Sequence, residues 1–373
     1  MKKKLKIAFV NNYCVPFQLS WIKQLEKEYQ VIAIFSDDVD TRKFPSYWKV
    51  EKSENIIVLG SERSSKKLLN IFQNSAKKYL EEFNPDIIQI NGQWWNKLFF
   101  DAYIWGVKNK KYLIAGPIEF SSRMNDFLIK VKNFFIWKII YKKINLFLAN
   151  AYVHQDYLKL SLNIDHCVNF TNLDDHDSFI LHTQRTFPEN RKIRFLYAGA
   201  FREGMGLNLT LDAFNDAAQM GLEFELILAG YGPLKEKIKE QIEKNELLKS
   251  VTLFWDINSW NEIQEVYKHS DVLVCLAEYS PGGSIISAIT SGMGVIGTPH
   301  THSMKRYIQH KANGFMVNNK SEVLRAIKLY CLDKKILSKH SEINKKFSYR
   351  YSYDSHLEDF NEIIEDYFQD NFT

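Results

Sequence analysis

Short apolar runs alternate with longer stretches of helical periodicity in the first half of this chain. Six of these runs are too short for helices and are bounded by Asn, Gly, Pro or Asp, which predicts strands. The predicted strands are Lys6–Asn11, Val31–Phe35, Ile56–Leu59, Asp86–Ile90, Tyr112–Ala115 and Leu146–Ala149. Gln18–Glu28 and Lys66–Phe83 have the apolar spacing of helices. Because the strands are continuously apolar rather than alternating, we predict a parallel sheet covered on both faces.

The same alternation restarts after a polar stretch, Leu173–Lys192, which is predicted to be a linker. The second set of predicted strands is Arg194–Ala198, Glu225–Ala229, Val251–Phe254, Val272–Ala277, Val295–Thr298 and Phe315–Val317. Two βα arrays predict an α/β protein of two Rossmann-like domains, residues 1–172 and 193–350, with the site in the cleft between them. The remaining residues, 351–373, contain a predicted helix, Ser355–Phe368, with apolar residues at helical spacing. This helix is expected to pack against a domain surface, and the first domain is the candidate.

The overall composition narrows the class of protein. A chain of 373 residues with 45% hydrophobic and 25% charged residues is typical of two globular domains. The net charge of +5 gives no reason to expect nucleic acid as a partner. The four cysteines are far apart and lack metal-ligand spacing, which favours reduced thiols in the cytoplasm. Lys6 interrupts the first apolar run, and no run approaches transmembrane length.

The first candidate binding loop is Ala198–Gly206, which follows a predicted strand and opens the predicted helix Leu207–Ala218. Glycines at such a turn let main-chain amides approach a phosphate, and a helix N-terminus favours negative charge. Arg202 offers a countercharge for a departing diphosphate. The alternative is a glycine turn with a solvated arginine.

The second candidate loop is Gly230-Tyr231-Gly232-Pro233, another strand-to-helix turn. Pro233 suits the first turn of a helix, which is predicted to run to Leu248. Pure turn chemistry explains this segment equally well.

The third candidate loop combines a carboxylate, Glu278, with Gly282, Gly283 and Ser284 at the start of the predicted helix Ile285–Ser291. Glu278 suits sugar hydroxyls, and the amides that follow suit phosphate oxygens. The alternative is a capped helix with an acidic loop.

These three loops, in this order, resemble the donor-binding domain of glycosyltransferase family 4, over about 193–327. Further matching segments are Trp260–Ala277, with its Tyr267, Ser270 and Asp271, the pair Ser291-Gly292, and Asn313–Val317. The resemblance implies the GT-B fold and a retaining, metal-independent transfer from a nucleotide-sugar, with no cofactor. It assigns the catalytic role to Glu278. It assigns donor binding to Arg202, Gly204, Gly206, Gly230, Tyr231, Asp256, Gly282, Gly283, Ser284 and Ser287.

The sequence departs from the family pattern at several of these positions. The arginine usual in the family falls near Ala200 and the usual lysine on Met205, and Ser287 stands where the second glutamate is usual. Losing one charge-assisted contact costs about 1.5–3 kcal/mol. The departures leave two interpretations open: little activity, or a subfamily in which Arg202, Lys305 and Arg306 hold the diphosphate.

The first domain carries the clues to the acceptor. Trp94 and Glu119 follow predicted strands and are expected to bind the acceptor. Residues 127–145 are basic and rich in aromatic residues, and no Asp or Glu occurs between Phe127 and Gln155. Such a helix suits an anionic membrane surface, although a half-buried helix with a solvated lysine face fits the same pattern. The loop with His300 and His302 is expected to line the cleft rather than bind a metal.

The function expected is transfer of a hexose-type sugar to a glycan or lipid-linked acceptor, in bacterial surface polysaccharide or lipopolysaccharide synthesis. The place expected is the cytoplasm, at the inner face of the membrane. Two alternatives stay open: a non-catalytic GT-B protein that binds a partner or a glycan, and a nucleotide-sugar epimerase.

Overall fold

The structure, a computed structural model, describes residues 4–38, 53–59, 76–91, 96–118, 120, 126–170, 179–180, 184–278, 282–300 and 302–368. The chain forms two compact units. Unit 1 comprises Met1–Asp175 and His356–Thr373, and unit 2 comprises His176–Ser355.

Unit 1 contains a seven-stranded parallel sheet. Its strands are β1 (Lys6–Cys14), β2 (Gln30–Asp38), β3 (Ile56–Val58), β4 (Ile87–Asn91), β5 (Tyr112–Ile118), β6 (Leu146–Ala149) and β7 (Cys167–Asn169). The spatial order is β3-β2-β1-β4-β5-β6-β7. Its helices are α1 (Pro16–Leu25), α2 (Lys77–Phe83), α3 (Lys97–Lys108), α4 (Phe127–Phe134) and α5 (Tyr152–Asp156). Helices α4 and α5 continue as π-helical segments, Phe135–Ile140 and Tyr157–Ser161.

The boundaries in unit 1 differ from the sequence predictions in a consistent way. Strands β1, β2 and β5 extend beyond the predicted apolar runs, because main-chain pairing continues past the end of each run. The three-residue β7 was not predicted. Part of the predicted helix Lys66–Phe83 lies outside the described residues, and the part described is α2.

Unit 2 contains a six-stranded parallel sheet. Its strands are β8 (Ile193–Ala200), β9 (Phe224–Tyr231), β10 (Thr252–Trp255), β11 (Val272–Cys275), β12 (Gly294–Gly297) and β13 (Phe315–Met316), in the order β10-β9-β8-β11-β12-β13. Its helices are α6 (Leu207–Gln219), α7 (Lys235–Glu243), α8 (Glu246–Val251), α9 (Trp260–His269), α10 (Gly282–Thr290), α11 (His302–Tyr307), α12 (Lys320–Leu332) and α13 (Lys334–Ser348).

One helix prediction in unit 2 is wrong. A single helix was expected to run from Pro233 to Leu248, but the chain forms α7 and α8 instead. The break is at Asn245, whose side-chain oxygen accepts hydrogen bonds from the amides of Leu247 and Leu248 at 3.1 and 3.2 Å. Asn245 thus caps a new helix, a competition that apolar spacing alone does not reveal.

Two arginines from 184–192, within the predicted linker, bind the start of β11 and the ends of nearby helices. Arg185 donates hydrogen bonds to the main-chain carbonyls of Tyr267, Lys268, Ser270 and Ser291. Burial lowers the pKa of Arg185 to about 10. Arg191 binds the buried carboxylate of Asp271 through two hydrogen bonds of 2.7 and 3.0 Å. This part of the chain therefore belongs structurally to unit 2.

The last helix, α14 (Tyr353–Phe368), covers one face of the unit 1 sheet. Phe360 is fully buried, and its ring lies 5.8 Å from those of Trp21 and Phe170 and 5.9 Å from that of Tyr29. Helices α2 to α5 cover the opposite face, so both faces of this sheet are buried.

Candidate functional site

The candidate site lies where the strand order of unit 2 reverses. Strands β8 and β11 are neighbours, with Val272 paired to Phe195 and Leu273 to Leu196. Helix α6, which follows β8, packs on one face of the sheet, and α10, which follows β11, packs on the other. The loops that leave β8 and β11 therefore lead to opposite faces of the sheet at its carboxyl end, and we call the region between them the crevice. Parallel sheets bind ligands in such a crevice.

The loop after β8 is held by its glycines and by one tyrosine. Gly204 and Gly206 have φ values of 76° and 72°. A Cβ at Gly206 would lie 2.5 Å from the carbonyl carbon of Leu276 and 2.6 Å from its Cβ, so only glycine fits against the end of β11. The Tyr197 hydroxyl donates to the carbonyl of Ala200 at 3.1 Å and approaches that of Met205 at 3.4 Å. These contacts fix the path of the loop.

A direct main-chain hydrogen bond joins the first and third candidate loops. The Glu278 amide donates to the Gly204 carbonyl at 2.9 Å. The end of β11 is also held from its other side, because the Thr298 hydroxyl donates to the Ala277 carbonyl at 2.9 Å. Glu278 itself is exposed. The structure therefore brings Gly204, Gly206 and Glu278 to one edge of the sheet.

The second candidate loop packs against the first through main-chain contacts. A Cβ at Gly230 would lie 3.0 Å from the carbonyl carbon of Gly199 and closer still to its oxygen. Gly232, at φ 142°, faces the carbonyl of Phe201 in the same way. The Phe201 amide donates to the Tyr231 carbonyl at 2.7 Å. Close backbone approach explains these glycines, which agrees with the alternative that this loop needs them for turn chemistry alone.

The electrostatics of the crevice centre on Arg202. Burial raises the pKa values of Tyr197 and Tyr231, and the positive charge of Arg202 opposes both increases. Arg202 is exposed. An exposed guanidinium whose charge acts on the phenols of β8 and β9 is suited to meeting an anion at this edge.

Helix α10 begins at Gly282, so Gly283 and Ser284 stand in its first turn. The Tyr267 hydroxyl, on α9, donates to the Ser284 carbonyl at 3.4 Å, and the Cys275 sulfur lies 3.9 Å from the Ser284 hydroxyl. Burial raises the pKa of the Cys275 thiol to about 11. Ser287 lies one turn further along α10 and is buried.

Asp256 and Arg306 lie on or beside other elements of unit 2, and two further predicted residues lie outside the described part of the chain. Asp256 follows β10, the outermost strand, and its carboxylate forms an ion pair with Lys235 that lowers its pKa. Arg306 lies on α11 with its guanidinium 5.7 Å from the centre of the Tyr307 ring. Trp94 and Glu119, the expected acceptor residues, lie outside the described residues, so their assignment stays a prediction.

The described residues contain neither a metal-binding cluster nor a membrane-spanning helix. No group of three or more His, Cys, Asp or Glu side chains in this part of the chain is arranged to hold a metal ion. Across the same residues, no helix combines the length and the apolar character needed to cross a membrane.

Sequence reasoning missed the side chains that support the loops. Tyr197 reads only as a buried strand residue, because its contacts with Ala200 and Met205 depend on the loop's path. Thr298 was noted only as the end of a strand. Lys235, which pairs with Asp256, reads as one of many helix lysines. No pattern in the sequence distinguishes these three residues from their neighbours.

Comparisons with known proteins bear on the family and on the fold. Residues 179–347 match the family model described as Glycosyl transferases group 1. A structure of HepE from Anabaena in complex with UDP is similar with a TM-score of 0.71 and 14% identity, over 97% of this chain and 100% of that one. Sucrose-phosphate synthase from Thermosynechococcus elongatus gives 0.72 and 13%, over 98% and 100%.

A third similar structure is the lipopolysaccharide outer core galactosyltransferase WaaB, with a TM-score of 0.68 and 14% identity over 97% of this chain and 99% of that one. No curated protein matches the sequence. The structural likenesses establish the fold as two parallel-sheet α/β units of the GT-B type. The family match covers most of unit 2, where the candidate loops lie, and supports a glycosyltransferase.

Proposed function

We propose that this protein transfers a hexose-type sugar from a nucleotide-sugar donor to a glycan or lipid-linked acceptor, with retention of configuration and without a metal ion. In this reaction the bond between the anomeric carbon and the diphosphate oxygen breaks, and a bond to an acceptor hydroxyl oxygen forms. The hydroxyl proton leaves with the diphosphate. Acceleration comes from stabilising the leaving charge and from positioning.

The hydrogen bond between Glu278 and Gly204 carries this proposal. It holds the loop that opens α6 beside the loop that precedes α10, at the reversal of strand order. Amides at two helix starts, together with Arg202, then supply the donors and the positive charge that a diphosphate needs. Glu278, at the end of β11, is placed to accept hydrogen bonds from sugar hydroxyls.

The remaining roles follow the sequence assignments. Ser287 binds the donor ribose, and Trp94 and Glu119 in unit 1 orient the acceptor. The protein works in the cytoplasm, at the inner face of the membrane, in surface polysaccharide or lipopolysaccharide assembly. Support for this setting comes from WaaB, which is described as a lipopolysaccharide outer core galactosyltransferase.

Donor binding and turnover test the proposal. HepE has been crystallised with UDP and with UDP-glucose, so UDP-glucose and UDP-galactose are the first donors to assay. Arg202→Ala is expected to weaken donor binding about 10- to 100-fold, the equivalent of one charge-assisted contact of about 1.5–3 kcal/mol. Glu278→Gln is expected to lower turnover. Arg325→Ala and Glu240→Gln, both on exposed helix surfaces of unit 2, serve as matched controls.

Two further readouts address the finer parts of the proposal. NMR of the product anomeric proton distinguishes retention from inversion, and turnover in excess EDTA measures metal dependence. Turnover that survives both site substitutions unchanged would remove the site assignment.

One observation favours a second function, a non-catalytic GT-B subunit. Met205 occupies the position where the resemblance places a lysine, and it is half-buried against the apolar core on both sides of the sheet. It therefore contributes packing rather than charge. Absence of nucleotide binding at millimolar donor would favour this alternative.

A further inference from the structure

One layer of helices in unit 1 has an outer face that resembles a core surface. Helices α3, α4 and α5 connect strands that follow one another across the sheet, from β4 to β7. Right-handed crossovers in one direction place such helices on the same face of the sheet. Their inward side chains confirm this, because Phe99, Ile136 and Leu158 belong to a single buried cluster.

The outward side of this layer is unusually apolar. Of the sixteen large apolar side chains that are exposed in the described residues, eleven lie between residues 100 and 160. These eleven are Phe100, Ile104, Val107, Phe127, Leu128, Val131, Phe134, Phe135, Ile139, Tyr152 and Leu160. The most exposed are Phe127 at 77%, Leu128 at 79% and Leu160 at 85%. We call these eleven residues the helix-layer surface.

The spacing along each helix shows that these residues form stripes rather than isolated exceptions. Phe100, Ile104 and Val107 recur at intervals of four and three residues on α3, and Phe127, Val131 and Phe134 do so on α4. Exposed apolar side chains scattered singly need no explanation, whereas a contiguous patch marks a binding surface. Among the described residues of unit 2, the five exposed large apolar side chains are spread from Met220 to Tyr349.

Specific contacts hold the three helices together. The Asn133 side-chain amide on α4 donates to the Tyr157 hydroxyl at 3.1 Å. The Tyr103 ring on α3 lies 4.9 Å from that of Tyr141, and its hydroxyl accepts from the Lys143 amide at 3.3 Å. The helix-layer surface is therefore a preformed part of the fold.

The positive charges around this surface favour a negatively charged binding partner. Lys132, Lys142 and Lys143 are exposed, and no Asp or Glu occurs between Phe127 and Gln155. Within the described part of the chain, none of these three lysines forms an ion pair with a carboxylate. A protein partner would need both apolar and acidic complementarity. An anionic bilayer offers phosphates at the level of the lysines and acyl chains beneath them.

We propose that the helix-layer surface docks unit 1 on an anionic phospholipid bilayer. The apolar stripes enter the headgroup boundary, and Lys132, Lys142 and Lys143 bind lipid phosphates. This inference deepens the proposed function, since a lipid-linked acceptor would then be met at the surface where it resides. Its test measures membrane binding and not transfer, so either can fail without the other.

The test is sedimentation of the purified full chain with vesicles of phosphatidylglycerol and phosphatidylcholine, compared with phosphatidylcholine alone. Substituting Lys132, Lys142 and Lys143 by Gln is expected to lower the partition coefficient on the order of 100-fold, since each lysine contributes about 1 kcal/mol at such a surface. The matched control substitutes Lys237, Lys244 and Lys328, exposed lysines of unit 2, by Gln.

A second pair of variants tests the apolar contribution. Leu128→Gln with Val131→Gln is expected to weaken binding at least tenfold. The control, Leu253→Gln with Leu332→Gln at two exposed apolar positions of unit 2, is expected to leave binding unchanged. Circular dichroism establishes that all variants fold. The proposal would be overturned if the protein sedimented equally with neutral and anionic vesicles, or with neither kind. It would also be overturned if the control variants lost as much vesicle binding as the test variants. A dimer in solution that the Leu128 and Val131 substitutions dissociate would overturn it as well.

Discussion

The contact of Gly206 with the end of β11 gives a sharp test of how the candidate loops are built. Gly206 precedes α6 and has φ 72°, and Gly221 follows α6 with the same φ. The two glycines therefore share their backbone conformation but differ in surroundings. A Cβ at Gly206 would meet the main chain of Leu276, whereas a Cβ at Gly221 has no heavy atom within 4 Å.

The expected magnitudes follow from this difference. Replacing either glycine by alanine should lower the free energy of unfolding by about 1–2 kcal/mol, because alanine is strained in the left-handed conformation. Gly206→Ala adds an overpacking cost of about 1–3 kcal/mol, because backbone rather than a flexible side chain must move. For a unit of this size, about 3 °C of Tm corresponds to 1 kcal/mol, so Gly206→Ala should melt roughly 3–9 °C below Gly221→Ala.

Thermal unfolding of the two variants, followed by circular dichroism and paired with nucleotide titration, measures both consequences. Gly206→Ala should also weaken nucleotide binding, since it pushes the first loop away from the third. Gly221→Ala should bind as the unaltered protein does. Equal Tm losses and equal affinities in the two variants would refute the packing of these loops.

Three further outcomes are expected. Arg185→Ala should destabilise unit 2 by about 3 kcal/mol, because four main-chain carbonyls each lose a hydrogen-bond donor, whereas the control Arg325→Ala should not. Equal midpoints of urea unfolding for the two variants would contradict this. Tyr197→Phe should weaken nucleotide binding about fivefold by freeing the first loop, and unchanged affinity would show that the hydroxyl is dispensable. Burial raises the pKa of the Cys275 thiol from about 9 in the unfolded chain to about 11 in the folded protein. The contribution of this thiol to the free energy of unfolding is therefore complete below pH 9, and it falls by roughly 2–3 kcal/mol as the pH rises to 11. Cys275→Ala should lose that part of the pH dependence of unfolding, and an identical pH profile would disprove it.

The sequence was sufficient for twelve of the thirteen strands in the two sheets and for the order of the candidate loops. Continuous apolar runs identify parallel strands regardless of context, and glycines after a strand identify a tight turn. Strand ends were less predictable, because pairing extends β8 and β9 past their apolar residues. The break at Asn245 was missed because a capping side chain competes with helix propagation only once the chain has turned.

The sequence identified the loops that form the candidate site, but it did not predict how these loops contact one another. The hydrogen bond from Glu278 to Gly204 joins residues far apart in the chain, and nothing local to either residue predicts it. The same holds for the approach of Gly230 to Gly199, which explains a glycine that the family resemblance assigns to donor binding. Whether Gly230 and Tyr231 also contact the donor stays a prediction.

The position of a bound nucleotide tests the central claim most directly. Crystals of the protein soaked with UDP should show the diphosphate in the crevice between β8 and β11. Its oxygens should lie within hydrogen-bonding distance of amides at the starts of α6 and α10, with the Arg202 guanidinium beside them. A diphosphate bound elsewhere, with the Gly204 and Gly283 amides exposed to solvent, would contradict the account.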